Sequence, residues 1–170
     1  MNAIVYTSNT GFTARYAEML GKQTGLPVYT LSDARRHLAR GSEIIYMGWL
    51  FATSVKDYRK ASKRFTVKCV VGVGLCPTGE MLREVRKAIS LPIGTPLFTV
   101  QGGMKRDELR GINKFMIDML IKMLKSKKNP TPEDVAQLEL IEKGGDYVSE
   151  DNLAAALAWY ASETKQDAQV

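Results

Sequence analysis

Short apolar runs alternate with amphipathic segments over the first 103 residues. The apolar runs are rich in β-branched side chains, which is typical of buried strands. The segments between them place apolar residues at helical spacing. This regular alternation predicts right-handed crossovers and an α/β fold with a doubly wound sheet of five parallel strands. The predicted strands are 3–6, 27–30, 44–48, 67–75 and 97–100, and the predicted helices are 13–22, 32–40, 54–65 and 79–89.

The rest of the chain is predicted to be helical. One helix covers 112–126, Thr131 followed by Pro132 begins a second, and Ser149 begins a last one that ends near residue 163. No linker-like composition interrupts the chain. We therefore expect a single domain over 1–170, with the sheet in 1–103 and extra C-terminal helices in 104–170.

The helix predicted over 112–126 is apolar around most of its circumference. Its charged residues fall within an arc of about 80°. Three interpretations remain open: a core covered by the following helices, a self-association face of a homodimer, or a face that contacts a membrane surface or a quinone. The charged residues are Lys114, Asp118, Lys122 and Lys125.

Composition and charge exclude several classes of protein. The 170 residues are 45% hydrophobic and 25% charged, which excludes a disordered chain. Two Cys and one His cannot form a four-ligand Cys/His zinc site, so no metal is expected. The N-terminus lacks the features of a signal peptide and no apolar stretch spans a bilayer. We expect a cytoplasmic protein, with peripheral contact at the inner face of the membrane as an alternative.

The net charge of +6 is unevenly distributed. Residues 1–128 hold 22 Lys+Arg and 9 Asp+Glu, whereas residues 129–170 hold 2 and 9. A basic body attracts an anionic ligand or partner. No nucleic-acid recognition motif accompanies the charge, so we expect no nucleic-acid partner. The basic side chains of the third helix form either a solvated face or a docking surface for an acidic partner; they are Lys56, Arg59, Lys60, Lys63 and Arg64.

The segment between the first strand and the first helix carries the clearest chemical signal. At this position an open α/β sheet presents backbone N–H groups and a helix N-terminus to an anion. Three hydroxyls can donate to phosphate oxygens, and Gly11 lets the backbone approach the ligand closely. The alternative is a hydroxyl-rich turn that merely caps the helix. The segment is Ser8, Asn9, Thr10, Gly11, Phe12 and Thr13.

This segment resembles the phosphate loop of flavodoxins, Ser/Thr-x-Thr-Gly-x-Thr, at all four defined positions. The resemblance covers residues 1–103. It implies strand order 2-1-3-4-5 and an FMN cofactor at the carboxyl ends of strands one, three and four. No catalytic side chain is implied, because the cofactor itself carries the electrons.

The family resemblance also implies which residues hold the flavin ring. In flavodoxins the loops after strands three and four flank the ring, often with aromatic side chains. Either Trp49 or Phe51 is expected to stack on the flavin, and the alternative is that both rings are structural. The first loop contributes Trp49, Leu50, Phe51 and Ala52, and the second contributes Leu75, Cys76, Pro77 and Thr78.

The net positive charge of the chain differs from that of flavodoxins that shuttle electrons between soluble partners, which are typically strongly acidic. The helix over 112–126 is similar to the matching part of the flavodoxin-like protoporphyrinogen dehydrogenases, which pass electrons through FMN to a membrane quinone. The main hypothesis is an FMN-binding electron-transfer protein whose partner is a redox protein or a quinone. There are two alternatives. One is a quinone-linked protoporphyrinogen dehydrogenase, which is an FMN-dependent oxidoreductase of haem biosynthesis. The other is a flavin-free binding module on the same fold.

Overall fold

A computed structural model describes residues 1–167, apart from the side chains of residues 112, 166 and 167. The strands are β1 Ala3–Thr7, β2 Val28–Thr30, β3 Glu43–Phe51, β4 Ser54–Val55, β5 Thr66–Gly74, β6 Leu97–Gln101, β7 Gly103–Met104 and β8 Gly145–Asp146. The α-helices are α1 Phe12–Thr24, α2 Leu31–His37, α3 Tyr58–Ser62, α4 Leu82–Ile89, α5 Gly111–Ser126, α6 Pro132–Lys143 and α7 Ala154–Asp167. Two 3₁₀ helices cover Arg106–Glu108 and Glu150–Leu153.

Five parallel strands form the main sheet in the order β2-β1-β3-β5-β6, and β4 pairs antiparallel with β3. The predicted α/β class and the order of the five parallel strands are therefore confirmed. β3 and β5 lie in the middle of the sheet and are buried on both faces, as their nearly continuous apolar sequences predict.

Helices cover both faces of this sheet. On one face, Tyr16 and Leu20 of α1 and Ala156 of α7 pack with inward side chains of the strands. On the other face, α2, α3 and α4 contribute a second cluster that includes Tyr58 and Val85. The carboxyl ends of the parallel strands consequently form the open edge of the sheet.

The chain forms two compact units, Met1–Gly102 together with Val148 onward, and Gly103–Tyr147. The last helix, α7, thus belongs to the unit that contains the main sheet. The second unit contains α5, α6 and the pair of short strands β7 and β8. Thr131 and Asp134 form a capping box at the start of α6, where the sequence predicts a helix to begin.

Helix α5 buries only part of its apolar circumference. Ile121 and Leu124 are buried, whereas Phe115, Met119 and Met123 are 59, 56 and 53% exposed. The interpretation of this helix as ordinary core is correct for the first two residues and wrong for the last three.

Candidate functional site

The segment after β1 lies where the strand order reverses. β1 pairs with β2 on one side and with β3 on the other, so the crossovers on either side of it run in opposite directions across the sheet. This is the topological switch point at which open α/β sheets bind their ligands. Residues 8–11 connect the end of β1 to the start of α1 at this position.

The N-terminus of α1 has no side-chain cap. Gly11 occupies the N-cap position with φ +89° and forms no side-chain cap, and the first turn lacks an acidic residue. By contrast, Thr30 caps α2 and Thr131 caps α6 through their side-chain oxygens. The alternative that the hydroxyl-rich turn serves to cap α1 is therefore wrong. The N–H groups of Thr13 and Ala14 in the first turn of α1, together with the positive end of the helix dipole, can bind an anion.

A buried, unpaired hydroxyl lies beside this helix end. Oγ of Ser8 is inaccessible to solvent and has no hydrogen-bond partner. A buried polar group without a partner costs about 1–3 kcal/mol, so such groups are rare in folded proteins. Its position next to an uncapped helix N-terminus is explained if a ligand oxygen completes the set of contacts.

The remaining residues of the segment differ in what they offer. Thr10 is half-buried and Asn9 is exposed, whereas Thr13 is only 1% exposed. The ring of Phe12 packs in the core with Tyr16. The ring of Phe12 therefore serves the core rather than a ligand.

A cleft of about 510 Å³ opens beside this segment. Its volume falls in the range of about 300–1,000 Å³ that is usual for small-molecule sites. Of the predicted binding residues, Ser8, Asn9 and Gly11 lie on its wall. The other lining residues come from β1, the end of β2, α1, α2 and the start of α3; they are Tyr6, Thr7, Ala14, Thr30, Leu31, Ser32, Arg35, Asp57 and Lys60.

The charged groups of the cleft are two cations and one carboxylate. Nζ of Lys60 lies 2.7 Å from Oδ1 of Asp57, and Arg35 is exposed at the cleft wall. Asp57 adopts φ +57°, a left-handed conformation that is rare for a residue other than glycine, asparagine or aspartate. Sequence reasoning did not include these three residues in the site. Arg35 lies in the last turn of α2, and Asp57 and Lys60 lie at the start of α3, so no local pattern marks them as lining one cleft.

The predicted loop after the third strand is instead a β-hairpin. β3 continues through Trp49 and Leu50 to Phe51, turns at Ala52 with φ +51°, and pairs with β4. Ser54 therefore lies in a strand, and the helix predicted over 54–65 spans only Tyr58–Ser62. The side chain of Leu50 lies over β5, where a Cβ at Gly72 or Gly74 would stand 2.9 Å from it. Glycine at these two positions lets the hairpin lie close to the sheet.

The two aromatic rings of the hairpin pack against each other. The centroids of Trp49 and Phe51 are 5.9 Å apart with an interplanar angle of 82°. Nζ of Lys56 lies 5.7 Å from the centroid of the Trp49 ring, in a cation–π contact. Both rings are half-buried, so each keeps accessible surface. Two buried rings, together with residues 75–79 closing over the site, would favour the flavin-free alternative; both aromatic residues are instead half-buried.

The loop after β5 is held by hydrogen bonds to the neighbouring strand and to the segment before α7. Nε2 of Gln101 donates to the carbonyl of Leu75 (3.1 Å), and the hydroxyl of Thr78 accepts from the N–H of Gln101 (3.0 Å). The same hydroxyl donates to Oδ1 of Asn152 (2.8 Å). The Thr78 hydroxyl is thus engaged within the protein, and Pro77 beside it is exposed.

Cys76 is a half-buried thiol in the same loop. Burial raises the pKa of Cys76, and the nearby Glu80 carboxylate raises it further by a smaller amount. Its Sγ lies 3.2 Å from Sδ of Met81. A thiol with a raised pKa is a poor nucleophile at neutral pH, so this environment does not activate Cys76.

The predicted ring-binding residues do not line the cleft described above. Residues 49–52 and 75–78 lie at the carboxyl ends of β3 and β5, on the same edge of the sheet as Ser8 and Gly11. The sheet therefore brings the three predicted segments to one edge, while the cleft extends from the first segment toward α2 and α3.

No family model, curated protein or solved structure matches this chain. No helix within residues 1–167 is long and apolar enough to cross a membrane. Within the same residues, no group of three or more His, Cys, Asp or Glu side chains is placed to hold a metal ion.

Proposed function

We propose that this protein is an FMN-binding redox protein with a flavodoxin-like fold. The strand order and the helices on both faces of the sheet are compatible with that fold. The observation that carries the proposal is the pairing of an uncapped N-terminus of α1 with the buried, unpartnered Oγ of Ser8. A phosphate at this position satisfies both groups.

The phosphate end of the cofactor is assigned to the segment after β1. The N–H groups at the start of α1 and the hydroxyls of Ser8, Thr10 and Thr13 donate to phosphate oxygens. Arg35 and Lys60 on the cleft wall add positive charge. Asp57 offers a carboxylate that accepts hydrogen bonds, which suits the hydroxyl groups of a ribityl chain.

The ring end is assigned to the two segments at the carboxyl ends of β3 and β5. Trp49 and Phe51 keep accessible ring surface on which a flavin can stack. The bound cofactor supplies the one- and two-electron chemistry, and this chain binds, orients and shields it. No protein acid or base is required.

Ser8→Ala tests the proposal, because stability and affinity should move in opposite directions. The substitution removes a buried hydroxyl without a partner, so the free energy of unfolding of the cofactor-free protein should stay equal or rise. It also removes a donor to a charged oxygen, so FMN affinity should fall by about tenfold or more. FMN binding is measured by quenching of flavin fluorescence and unfolding by urea denaturation.

Ser62→Ala is the matched control, because Ser62 is an exposed serine at the end of α3. Its FMN affinity should equal that of the unmodified protein. If the protein binds no flavin at micromolar concentration, the proposal is wrong. Equal FMN affinity of Ser8→Ala and Ser62→Ala would remove Ser8 from the binding site.

The quinone-linked protoporphyrinogen dehydrogenase is a narrower form of the same proposal. It shares the cofactor and adds a tetrapyrrole substrate and a quinone acceptor. Turnover of protoporphyrinogen with menaquinone by the FMN-loaded protein distinguishes the two. Flavin binding without such turnover favours electron transfer to or from another protein.

A further inference from the structure

We infer that the surface formed by α2, α3 and the turns that follow them docks an acidic redox protein beside the cofactor cleft. The inference rests on the proposed function and names the class of its partner. The members of this α2–α3 basic surface are Arg35, Arg36, Arg40, Arg59, Lys60 and Lys63, all exposed.

The surface is formed by two neighbouring helices. Nη2 of Arg64 donates to the carbonyl of Arg35 at 2.9 Å, and the N–H of Gly41 donates to the carbonyl of Arg64 at 2.8 Å. These bonds join the C-terminal ends of α2 and α3. Cations that are up to 28 positions apart in the chain therefore lie on one side of the molecule.

Most of this positive charge is not neutralised within the protein. Residues 31–64 contain eight Lys+Arg and three Asp+Glu. Asp33 pairs with Arg36 and Asp57 with Lys60. Within this range no carboxylate lies within ion-pair distance of Arg35, Arg40, Arg59 or Lys63. Such a field attracts a negatively charged partner and raises its rate of association.

The surface is continuous with the candidate site. Arg35 and Lys60 line the cleft and also belong to the basic surface, so a partner docked there lies at the cleft rim. Electron-transfer partners bind through small, polar and short-lived interfaces, which complementary charge supports better than apolar burial does.

The composition of the surface favours a protein over a membrane or a nucleic acid. No large apolar side chain between residues 31 and 64 is exposed, so the surface lacks the groups that insert into a bilayer. The two aromatic rings of the nearby hairpin are half-buried and pack on each other, and they do not form an exposed stacking row for bases.

The experiment uses an acidic plant-type ferredoxin as the probe. Two reduced ferredoxin molecules each lose one electron, and the FMN-loaded protein takes up both, with protons from water. Stopped-flow absorption of the flavin gives the second-order rate constant. We expect it to fall by about tenfold or more between about 20 and about 300 mM salt.

Charge reversal locates the surface. Arg59→Glu with Lys63→Glu reverses two exposed cations four positions apart, neither of which lines the cleft. Arg83→Glu with Lys87→Glu is the matched control, because these exposed cations on α4 have the same spacing. At low salt we expect the first pair to slow the reaction by about tenfold or more and the second by about twofold or less.

Three outcomes overturn the inference. The first two are equal effects of the two double variants and a rate constant that does not fall with salt. The third is binding of the protein to anionic vesicles or RNA that Arg59→Glu with Lys63→Glu weakens as much as it slows the ferredoxin reaction. Fluorescence anisotropy of labelled ferredoxin measures docking without the cofactor. If FMN does not bind but ferredoxin docking depends on Arg59 and Lys63, the proposed function fails and the docking surface stands.

Discussion

The hydroxyl of Thr78 donates a hydrogen bond to Oδ1 of Asn152, a residue 74 positions further along the chain. Nδ2 of the same amide donates to the Tyr16 hydroxyl at 2.7 Å, and that hydroxyl donates to the carbonyl of Gln101 at 2.5 Å. One amide thus connects the loop after β5, the edge strand β6 and helix α1. The position of residues 75–78 at the candidate site depends on this contact.

Asn152→Leu should therefore destabilise the protein by about 1–3 kcal/mol, because it removes one hydrogen bond from each of the Thr78 and Tyr16 hydroxyl groups. Urea denaturation measures the change. Asn129→Leu, at an exposed asparagine in the turn between α5 and α6, should change stability by less than about 0.5 kcal/mol. Equal losses for the two variants would contradict this role of Asn152.

Gly11→Ala should reduce both stability and FMN affinity. The left-handed backbone at Gly11 costs a residue with a Cβ about 1–2 kcal/mol, although the space around that Cβ is open. Gly25, the C-cap of α1 with φ +71°, has the same constraint at the other end of the helix. Gly25→Ala should lose similar stability and keep its FMN affinity. If Gly11→Ala and Gly25→Ala had the same FMN affinity, Gly11 would not belong to the binding site.

Arg35→Gln and Lys60→Gln should weaken binding of FMN more than binding of riboflavin, which lacks the phosphate. We expect FMN affinity to fall about three- to tenfold for Arg35→Gln and more for Lys60→Gln, because the latter leaves the Asp57 carboxylate without its cation. Riboflavin affinity should change by less than about twofold. Isothermal titration calorimetry with FMN and with riboflavin measures both affinities.

Arg36→Gln and Lys63→Gln are the controls for that pair. Both residues are exposed and neither lines the cleft. If these controls lost as much FMN affinity as Arg35→Gln and Lys60→Gln do, the loss would be caused by the change in net charge alone.

Lys56→Gln should make the two-electron potential of the bound flavin more negative. Positive charge near the ring favours the anionic reduced form, and Nζ of Lys56 lies over Trp49, one of the two candidate ring contacts. Removing one partly screened charge should shift the potential by about 20 mV. Lys63→Gln, which lies outside the cleft, should shift it less. A positive shift for Lys56→Gln would contradict the assignment of the ring to this hairpin.

The protein should lose stability at alkaline pH partly through Cys69. Burial is the main cause that raises the pKa of this thiol, with Glu163 adding to it. Because its pKa is raised in the folded state, the Cys69 thiol holds its proton more tightly in the folded protein than in the unfolded chain. The unfolded thiol loses its proton near about pH 8.5, so the stability that protonated Cys69 contributes is complete below that pH and is lost as the pH rises.

Cys69→Ala should therefore show a smaller loss of unfolding free energy between about pH 7 and about pH 10 than the unmodified protein. Val71→Ala is the control, because Val71 lies in the same buried cluster and does not titrate. It should lower stability by a similar amount at both pH values. Equal pH slopes for all three proteins would exclude Cys69 as a cause.

Several local features could be predicted from the sequence because they depend on neighbouring residues. The continuous apolar runs of β3 and β5 indicate strands buried on both faces, and the capping box of Thr131 and Asp134 indicates the start of α6. The start of the helix predicted over 54–65 was wrong, because Ser54 and Asp57 have other roles. Ser54 pairs in β4, and Asp57 takes a left-handed conformation without capping α3.

The sequence by itself determined the alternation of strands and helices, the hydroxyl-rich segment after β1 and the basic charge of α2 and α3. These properties are local, and a period or a composition carries them. Only the tertiary structure decided that α1 begins without a cap, that Ser8 lacks a partner, and that Asn152 holds the loop after β5. It also decided that Arg35 and Lys60 share one cleft. Such relationships join residues that are distant in the chain, and they arise from packing across the sheet, which no local pattern records.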